Sequence, residues 1–204
     1  MTATHLPARH GRPRDPSIDE AVLTATIAIL SEDGYRHLST TEVARRAGVH
    51  KPAVYRRWPT KLELALAAIH RLAPPIADPD TGDVRRDLVD VLLQVASAKQ
   101  RRPHLELAAR LRSDFATEPE LASAVRAAII RPRVAAMRSI IERAQRRGEL
   151  RADVGADAVT DLLFGAVNAR SLRTDAPLTR AAAVRLVDVV IDGIAVAATE
   201  PRGR

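Results

Sequence analysis

The sequence predicts an all-α protein of about nine helices arranged in two domains. Alanine, leucine and arginine, which favour helices, are abundant among the 204 residues, whereas aromatic residues make up only 2%. No stretch shows the alternation of apolar and polar residues that indicates a half-buried strand. At three of the predicted helix starts, a serine or threonine is followed three positions later by glutamate, a pattern that starts helices.

The composition narrows the classes of protein that the chain can be. Without cysteine it forms no disulfide and no thiolate metal site, and neither a metal nor a cofactor is expected. The longest apolar segment, near the C-terminus, is interrupted by Asp188 and Asp192, so no membrane span is predicted and a cytoplasmic location is expected. The net charge of +7 favours an anionic partner, and the wealth of arginine and alanine is typical of GC-rich bacterial genomes.

The N-terminal segment contains an arm and the first helix. Residues 1–15 are expected to form a flexible, basic arm, because they contain two prolines, a glycine and no helical pattern. The first helix is predicted over about 16–33. Asp15 can cap it and Pro16 suits its first turn, where no amide hydrogen is needed. Gly34 can adopt the left-handed conformation that ends a helix.

A short second helix is predicted over about 39–46. It starts at a capping box formed by Ser39 and Glu42, and it stops at Gly48. Two short helices joined by a tight turn that contains glycine form a helix-turn-helix, whose second helix enters the major groove of DNA while the first braces it. A generic hairpin of two helices shares this pattern, so the spacing alone leaves both interpretations open.

The third and fourth helices follow directly. The third is predicted over about 50–58, because Pro52 suits a first turn and the helix must end before Pro59. Thr60 and Glu63 form another capping box, which opens the fourth helix. The first domain therefore contains a three-helix helix-turn-helix unit and one further helix.

The strongest break in the chain lies at 73–82, which holds three prolines and a glycine. We place the domain boundary there. A helix-turn-helix domain is predicted at 16–73 and a helical ligand-binding and dimerisation domain at 82–200. In the second domain, apolar stripes predict helices on both sides of Pro103.

A long helix is predicted in the middle of the second domain. The capping box of Thr117 and Glu120 opens it, and it runs to about Arg147 with a bend at Pro132. Gly148 is the stop signal at its end. Two final helices complete the count.

Positive charge is concentrated around the predicted helix-turn-helix. Between positions 36 and 61, seven basic residues face a single acid, Glu42, which leaves a local net charge of +6. Such a cluster favours binding to a nucleic acid. Alternatively, arginine is simply the common surface residue of this chain, and Arg45 and Arg46 also suit the C-terminal end of a helix.

Residues 16–73 resemble the N-terminal domain of the TetR/AcrR family of bacterial regulators, and an actinobacterial member is expected. The matching segments are Glu32–Tyr35, Ser39–Val49, Tyr55–Trp58 and Lys61–Leu64, and Arg147–Leu150 with Asp161–Gly165 give a weaker match in the second domain. The resemblance implies a transcriptional regulator, most often a repressor. It would bind a near-palindromic operator in double-stranded DNA as a homodimer and be released when a small molecule binds the second domain.

The resemblance also assigns contacts to the DNA backbone. Lys51 and Lys61 suit phosphate contacts, since an ammonium on a flexible stem neutralises phosphate without distinguishing bases. A cation such as Lys61 in the first turn of a helix opposes the helix dipole unless an anion compensates. Tyr55 resembles the family tyrosine whose hydroxyl reaches a phosphate, and Thr40 lies near a helix N-terminus aimed at the backbone.

Base contacts are assigned to the same predicted recognition helix. Arg56 is the main candidate, because guanidinium pairs bidentately with guanine. Arg57 is a second candidate for base contact or else a solvated side chain. His50 either is a weak helix cap or contacts a base or phosphate, and Pro52 completes the predicted contact set.

The N-terminal arm offers one more contact with DNA. Arg12 and Arg14 flank a proline in a short basic segment similar to the arms that follow the minor groove. A disordered tail without any role in binding is the alternative. Deletion of this arm distinguishes the two, because only a contacting arm contributes to operator affinity.

The second domain is expected to dimerise through its last two helices, at about 154–173 and 177–198, because apolar residues surround the final helix on more than one face. An internal core helix is the alternative. A ligand cavity is also expected, and each of its proposed residues could instead belong to core or surface. The proposed lining is Leu107, Leu111, Phe115, Met137, Ile141 and Phe164, with Arg110, Asp161 and Asn168 as polar anchors. The effector itself is unknown.

Two other classes of function are compatible with a helical chain of this size. An enzyme is not expected, because the sequence lacks nucleophile-elbow, zinc-protease and phosphate-loop motifs, and no catalytic residue is proposed. A helical ligand-binding or adaptor protein that never contacts DNA is the remaining alternative.

Overall fold

The computed structural model describes residues 16–99, 102–174 and 176–194, which form nine α-helices and no strand. The predicted all-α class is thereby confirmed. The helices are α1 (Pro16–Glu32), α2 (Thr40–Ala47), α3 (Lys51–Tyr55), α4 (Lys61–Leu72), α5 (Val84–Lys99), α6 (Arg102–Thr117), α7 (Pro119–Val125 and Arg131–Arg146, joined by the π-turn Arg126–Ile130), α8 (Ala156–Arg173) and α9 (Arg180–Ile194). A 3₁₀ turn, Tyr35–His37, lies between α1 and α2.

The capping residues of the first domain fix where α2 and α4 begin. The Ser39 hydroxyl accepts a hydrogen bond from the amide of Glu42 (3.2 Å), but the Glu42 side chain turns to two arginines and leaves this capping box half formed. The box at α4 is complete, since Thr60 Oγ1 accepts from the Glu63 amide and the Glu63 carboxylate accepts from the Thr60 amide.

α3 is shorter than the sequence suggests. It ends at Tyr55, and the chain passes through two turn residues before Trp58. Pro59 disfavours the helical conformation at Trp58, so the last predicted turn unwinds. Gly48, with φ 66°, ends α2 in the left-handed conformation and sets the angle between α2 and α3.

The long helix α7 differs from its prediction at its start. The expected capping box at Thr117 is wrong, because Thr117 ends α6 and its hydroxyl donates to the Asp114 carbonyl (3.3 Å). α7 begins at Pro119, with Glu118 as its N-cap residue. Proline in a first turn therefore decides the start, since its missing amide hydrogen is not needed there.

A bend is predicted at Pro132, and the structure has a π-helical segment there. The wide turn, Arg126–Ile130, lies just before Pro132. Proline cannot donate to the carbonyl four residues earlier, and its ring crowds that carbonyl, so a local widening relieves the clash.

Two apolar cores hold the helices together, and they do not divide at the predicted domain boundary. The N-terminal core contains the buried residues of α1–α4 together with Leu107, Leu111, Leu121, Val125 and Ile129 from α6 and the first part of α7. The C-terminal core is formed by α5, the remainder of α7, α8 and α9, around Leu92, Met137, Ile141, Leu163 and Val187. Thus α6 packs against α1 of the helix-turn-helix domain, although it lies beyond the proline-rich segment in the sequence.

A hydrogen-bonded clasp joins the end of α1 to α6. Gly34 is buried at φ 84°, which lets the chain pass close to α6. The buried Asp114 carboxylate accepts from the Tyr35 amide (2.8 Å), and the Arg110 guanidinium donates to the Asp33 carbonyl (2.8 Å). We call these contacts the Gly34 clasp.

Replacing Gly34 by alanine is expected to lower the free energy of unfolding by about 2–4 kcal/mol, because crowding adds to the backbone strain of a side chain at φ 84° and ψ 175°. A Cβ there would lie 2.6 Å from Arg110 Nε and 3.0 Å from Asp114 Oδ1. Gly148 is the matched control, with φ 76° and no atom within 4 Å of the position that a Cβ would take, so its replacement costs about 1 kcal/mol of strain alone. Urea denaturation measures the free energy of unfolding of both variants. Equal losses would show that crowding in the Gly34 clasp adds nothing to the strain.

Candidate nucleic-acid interface

α2 and α3 form the helix-turn-helix, and three apolar side chains fix them to the rest of the domain. Val43 and Val54 are fully buried in the N-terminal core, and Ala44 is nearly so. These residues occupy the inward faces of the two short helices. The outward face of α3 is therefore held in a fixed orientation towards solvent.

The outward face of α3 collects five of the predicted contact residues. His50, Lys51, Pro52, Tyr55 and Arg56 are all exposed. Lys51 Nζ lies 5.6 Å from the centre of the Tyr55 ring, and His50 precedes the helix without a side-chain capping bond. Within the described part of the chain, no side chain forms an ion pair with Lys51 or Arg56. This face thus presents unpaired positive charge and an aromatic hydroxyl side by side.

The positive charge on α2 is largely neutralised inside the protein. Arg45 makes a bidentate bond with Glu42 (2.9 and 2.7 Å), and Arg46 bonds both Glu42 (2.8 Å) and Glu32 (2.6 Å). These two guanidinium groups lower the pKa of Glu42 to about 2. The net charge of +6 already includes Glu42 but not Glu32, so it overstates the charge available to DNA by the part that Glu32 neutralises. The available part is concentrated on α3.

Arg57 lies apart from the exposed face. Its guanidinium is paired with Asp19 of α1 and also donates to the Ala53 carbonyl (3.2 Å), and its side chain is only 13% exposed. This arrangement anchors the end of α3 to α1. The structure favours a positioning role for Arg57 over the base contact considered from the sequence.

Lys61 has partners within the protein. Its Nζ donates to the Arg36 carbonyl (3.0 Å) and lies 4.4 Å from the centre of the Tyr35 ring. Burial lowers the pKa of Lys61, and the carboxylates of Glu118 and Asp114 oppose this effect. The repulsion between the Lys61 ammonium and the positive end of the α4 dipole is thus offset by the Arg36 carbonyl and the Tyr35 ring. A DNA phosphate would offset it further.

The remaining predicted contacts are Thr40 and the two arginines of the N-terminal arm. Thr40 is the first residue of α2 and is half-buried beside the exposed start of that helix. Arg12 and Arg14 lie outside the described residues, as does the whole N-terminal arm.

A cavity of about 310 Å³ opens between the two cores. Leu111, Phe115 and Ile129 line it from the N-terminal core, whereas Val95 and Phe164 line it from the C-terminal core. Its full lining is Val95, Ala108, Leu111, Arg112, Phe115, Val125, Ile129, Ile130, Arg133, Val134, Phe164 and Asn168. Both phenylalanines of the chain are therefore at this one site.

Four of the predicted lining residues meet at this cavity: Leu111, Phe115, Phe164 and Asn168. Three other apolar candidates do not, and their assignment to the lining is corrected: Leu107 is 2% exposed in the N-terminal core, and Met137 and Ile141 are fully buried in the C-terminal core. Helical spacing gives a shared face but does not show whether that face meets a cavity or another helix.

Among the polar lining residues, sequence reasoning missed Arg133 and selected Arg110 and Asp161 instead. Arg110 belongs to the Gly34 clasp, and Asp161 is exposed away from the cavity lining. Arg133 is half-buried and donates through Nη2 to the Pro74 carbonyl (2.6 Å), and its buried Nε has no partner among the described residues. Burial lowers the pKa of Arg133. Its position directly after Pro132, where an irregular turn is predicted, is the signal that could have found it.

Two family models match the chain. One, described as bacterial regulatory proteins of the tetR family, matches residues 22–68, and the other, the tetracyclin repressor-like C-terminal domain, matches residues 78–190. The second match alone covers more than half of the chain. The chain belongs to the TetR family.

Individual relatives support the assignment of this chain to the TetR family. An uncharacterised HTH-type transcriptional regulator of Mycobacterium tuberculosis is 33% identical over 88% of this chain and 91% of its own length. The DNA-binding transcriptional repressor TetR of Mycobacteroides abscessus is 30% identical over 84% of this chain and 90% of its own length. A crystal structure of a TetR family transcription regulator has a TM-score of 0.60 and 33% identity, covering 88% of this chain and all of the other.

The last two helices of the TetR-family regulator expose several large apolar side chains. On α8, Leu162 is 60% and Leu172 is 76% exposed, with the exposed Gly165 between them on the same face. On α9, Val189 is 78% and Val184 is 38% exposed. Large apolar side chains mark an interaction surface when they lie together in a patch. We call these four exposed residues the α8–α9 face.

Other residues of the same two helices are buried. Leu163 and Val167 of α8 pack in the C-terminal core with Val187 and Ile191 of α9. Both helices therefore have apolar residues on an inner and an outer side, as the sequence indicated for the final helix. One packed face serves the fold, and the other is available for a partner.

Proposed function

We propose that the TetR-family regulator is a repressor that binds a near-palindromic operator as a homodimer and is released by a small-molecule effector. The exposed, unpaired cations on α3 carry the proposal, because the helix-turn-helix presents them where a recognition helix meets the major groove. The relative in Mycobacteroides abscessus is named a repressor, which supports this direction of control.

The proposed contacts with DNA are divided between backbone and bases. Lys51 and the Tyr55 hydroxyl contact phosphates, and Arg56 pairs with a guanine in the major groove. His50 and Pro52 border the same face and approach the DNA at the start of α3. Thr40 and Lys61 complete the backbone contacts, with Lys61 keeping its internal partners.

The α8–α9 face is the proposed dimer interface. Two copies that pair helix to helix through this face would bury the large side chains that a monomer exposes. Because a two-fold dimer places its recognition helices a fixed distance apart, it selects operators with two correctly spaced half-sites.

The proposed effector site is the cavity between the two cores. α6, which lines it, also packs against α1 of the helix-turn-helix domain and forms the Gly34 clasp, so a ligand there can change how the two cores are arranged. Release then follows if the ligand favours an arrangement in which the recognition helices no longer match successive major grooves.

The location and class of the protein follow from the same proposal. No helix in the described ranges is both long and apolar enough to span a membrane. A regulator that binds bacterial DNA acts in the cytoplasm, and the family consists of transcription regulators rather than enzymes.

An electrophoretic shift with DNA from upstream of the protein's own gene tests the function. We expect specific binding that weakens steeply with salt, because Lys51 and its symmetry mate release counterions from phosphates. Lys51→Gln should reduce the salt dependence by about one unit of log–log slope per half-site, whereas Arg45→Gln, in an internally paired arginine, should leave it nearly unchanged. Absence of any shift at low salt would favour a ligand-binding adaptor that does not contact DNA.

A further inference from the structure

Arg133 places a positive charge at a cavity that is lined mainly by apolar side chains. It lines the cavity beside Phe115, Ile129 and Phe164, and it is half-buried on α7. Among the described residues, no carboxylate forms an ion pair with it, and its single hydrogen bond goes to the Pro74 carbonyl. The buried Nε atom has no acceptor in that part of the chain.

A half-buried guanidinium without an anion is unfavourable, because burial removes water and nothing of opposite charge replaces it. Two other arginines near the C-terminal core are paired with carboxylates. Arg143 on the same helix is paired with Asp78 (2.7 Å), and Arg85 is paired with Asp188 (2.5 Å). Arg133 alone among these three faces the cavity, so the missing anion is one that a ligand can supply.

We propose that the effector is a small organic acid with an apolar body, held by its carboxylate against Arg133. This inference rests on the proposed effector role of the cavity. The body would lie between Phe115 and Phe164, and the exposed Arg112 adds a second cation to the lining. A volume of about 310 Å³ suits a compact ligand, at the lower end of the roughly 300–1,000 Å³ of small-molecule sites.

The same side chain connects the cavity to the DNA-binding domain. Pro74, whose carbonyl accepts from Arg133 Nη2, comes directly after the buried Ala73 that ends α4. A carboxylate is a stronger acceptor for guanidinium than a peptide carbonyl, so the acid draws Arg133 away from Pro74. The end of α4, whose start adjoins α3, then loses one of its attachments to α7. Binding of the acid is thereby coupled to the position of the helix-turn-helix.

Calorimetry with the full chain tests the ligand class. The probes are 2-naphthoate and decanoate, each compared with its uncharged amide, which has nearly the same shape. We expect at least one acid to bind about tenfold or more tightly than its amide, as a charge-assisted bond predicts. Arg133→Gln, which keeps a donor for Pro74, should abolish the preference, and Arg133→Lys should restore part of it.

The outcomes separate this inference from the proposed function. Equal binding of acid and amide, failure of both acids to bind at millimolar concentration, or a preference that survives in Arg133→Gln would each overturn the inference. In a parallel electrophoretic shift, the acid that binds should weaken the complex of the unmodified chain with promoter DNA and leave that of Arg133→Gln unchanged. If the unmodified chain did not bind promoter DNA even in the absence of acid, the proposed function would be overturned instead. The calorimetric comparison would still decide the ligand class.

Discussion

Replacing Arg56 by glutamine is expected to weaken operator binding by at least about 30-fold. Each bidentate pair with guanine contributes about 1–3 kcal/mol of discrimination, and a dimer loses one in each half-site. The folded state should be unaffected, since the Arg56 side chain is exposed and no hydrogen bond to it occurs in the described ranges. Fluorescence anisotropy with a labelled operator measures the change at one fixed salt concentration.

The pattern of specificity distinguishes base contact from general attraction. Arg56→Gln should relax the preference at one symmetric pair of positions, whereas Lys51→Gln should weaken binding to all sequences alike. Arg45→Gln is the matched control, because Arg45 is also an exposed arginine of the helix-turn-helix but is held by Glu42. A loss of affinity as large for Arg45 as for Arg56 would show that net charge alone governs binding.

The double substitution of Leu172 and Val189 by aspartate is expected to make the protein monomeric. These side chains are 76% and 78% exposed, so the monomer should keep its stability while the dimer would bury unpaired charge. Operator affinity should fall by about a hundredfold or more, because the two half-sites are no longer bound as a linked pair. Light scattering coupled to size exclusion gives the mass, and anisotropy gives the affinity.

Ala135→Asp supplies the control for this second experiment. Ala135 is exposed on α7 and is not a residue of the α8–α9 face, so one negative charge is added without changing the proposed interface. The control should remain dimeric and bind the operator normally. If the double variant also stayed dimeric, the α8–α9 face would have to be abandoned as the interface.

Local signals in the sequence predicted most of the DNA-binding module. Thr60 with Glu63, and Gly48, act over three or four residues, so the boundaries that they imply hold in the folded chain. The exposed face of α3 followed from the same boundaries. Where a proline competed with a capping box, as at Pro119 beside Thr117, the local rule selected the wrong start.

Long-range pairing could not be predicted in the same way. The ion pair of Arg57 with Asp19 joins residues 38 positions apart, and nothing in the sequence near either residue indicates it. Likewise, Leu107 and Leu111 lie one turn apart on α6, yet only Leu111 borders the cavity. Which neighbour an apolar face meets depends on the arrangement of all the helices, and periodicity does not contain that information.

The packing of α6 against α1 of the helix-turn-helix domain limits how such regulators can be recombined. An N-terminal fragment that ends at the proline-rich segment 73–82 would lack Leu107, Leu111 and Leu121. The side of α1 that packs against them would then be exposed to water. A chimaera that grafts residues 16–73 onto another effector domain must therefore recreate a compatible α6. Otherwise the graft would fold poorly or lose its response to ligand. The smallest unit that can be exchanged is discontinuous in the chain, even though the linker looks like a natural point of separation.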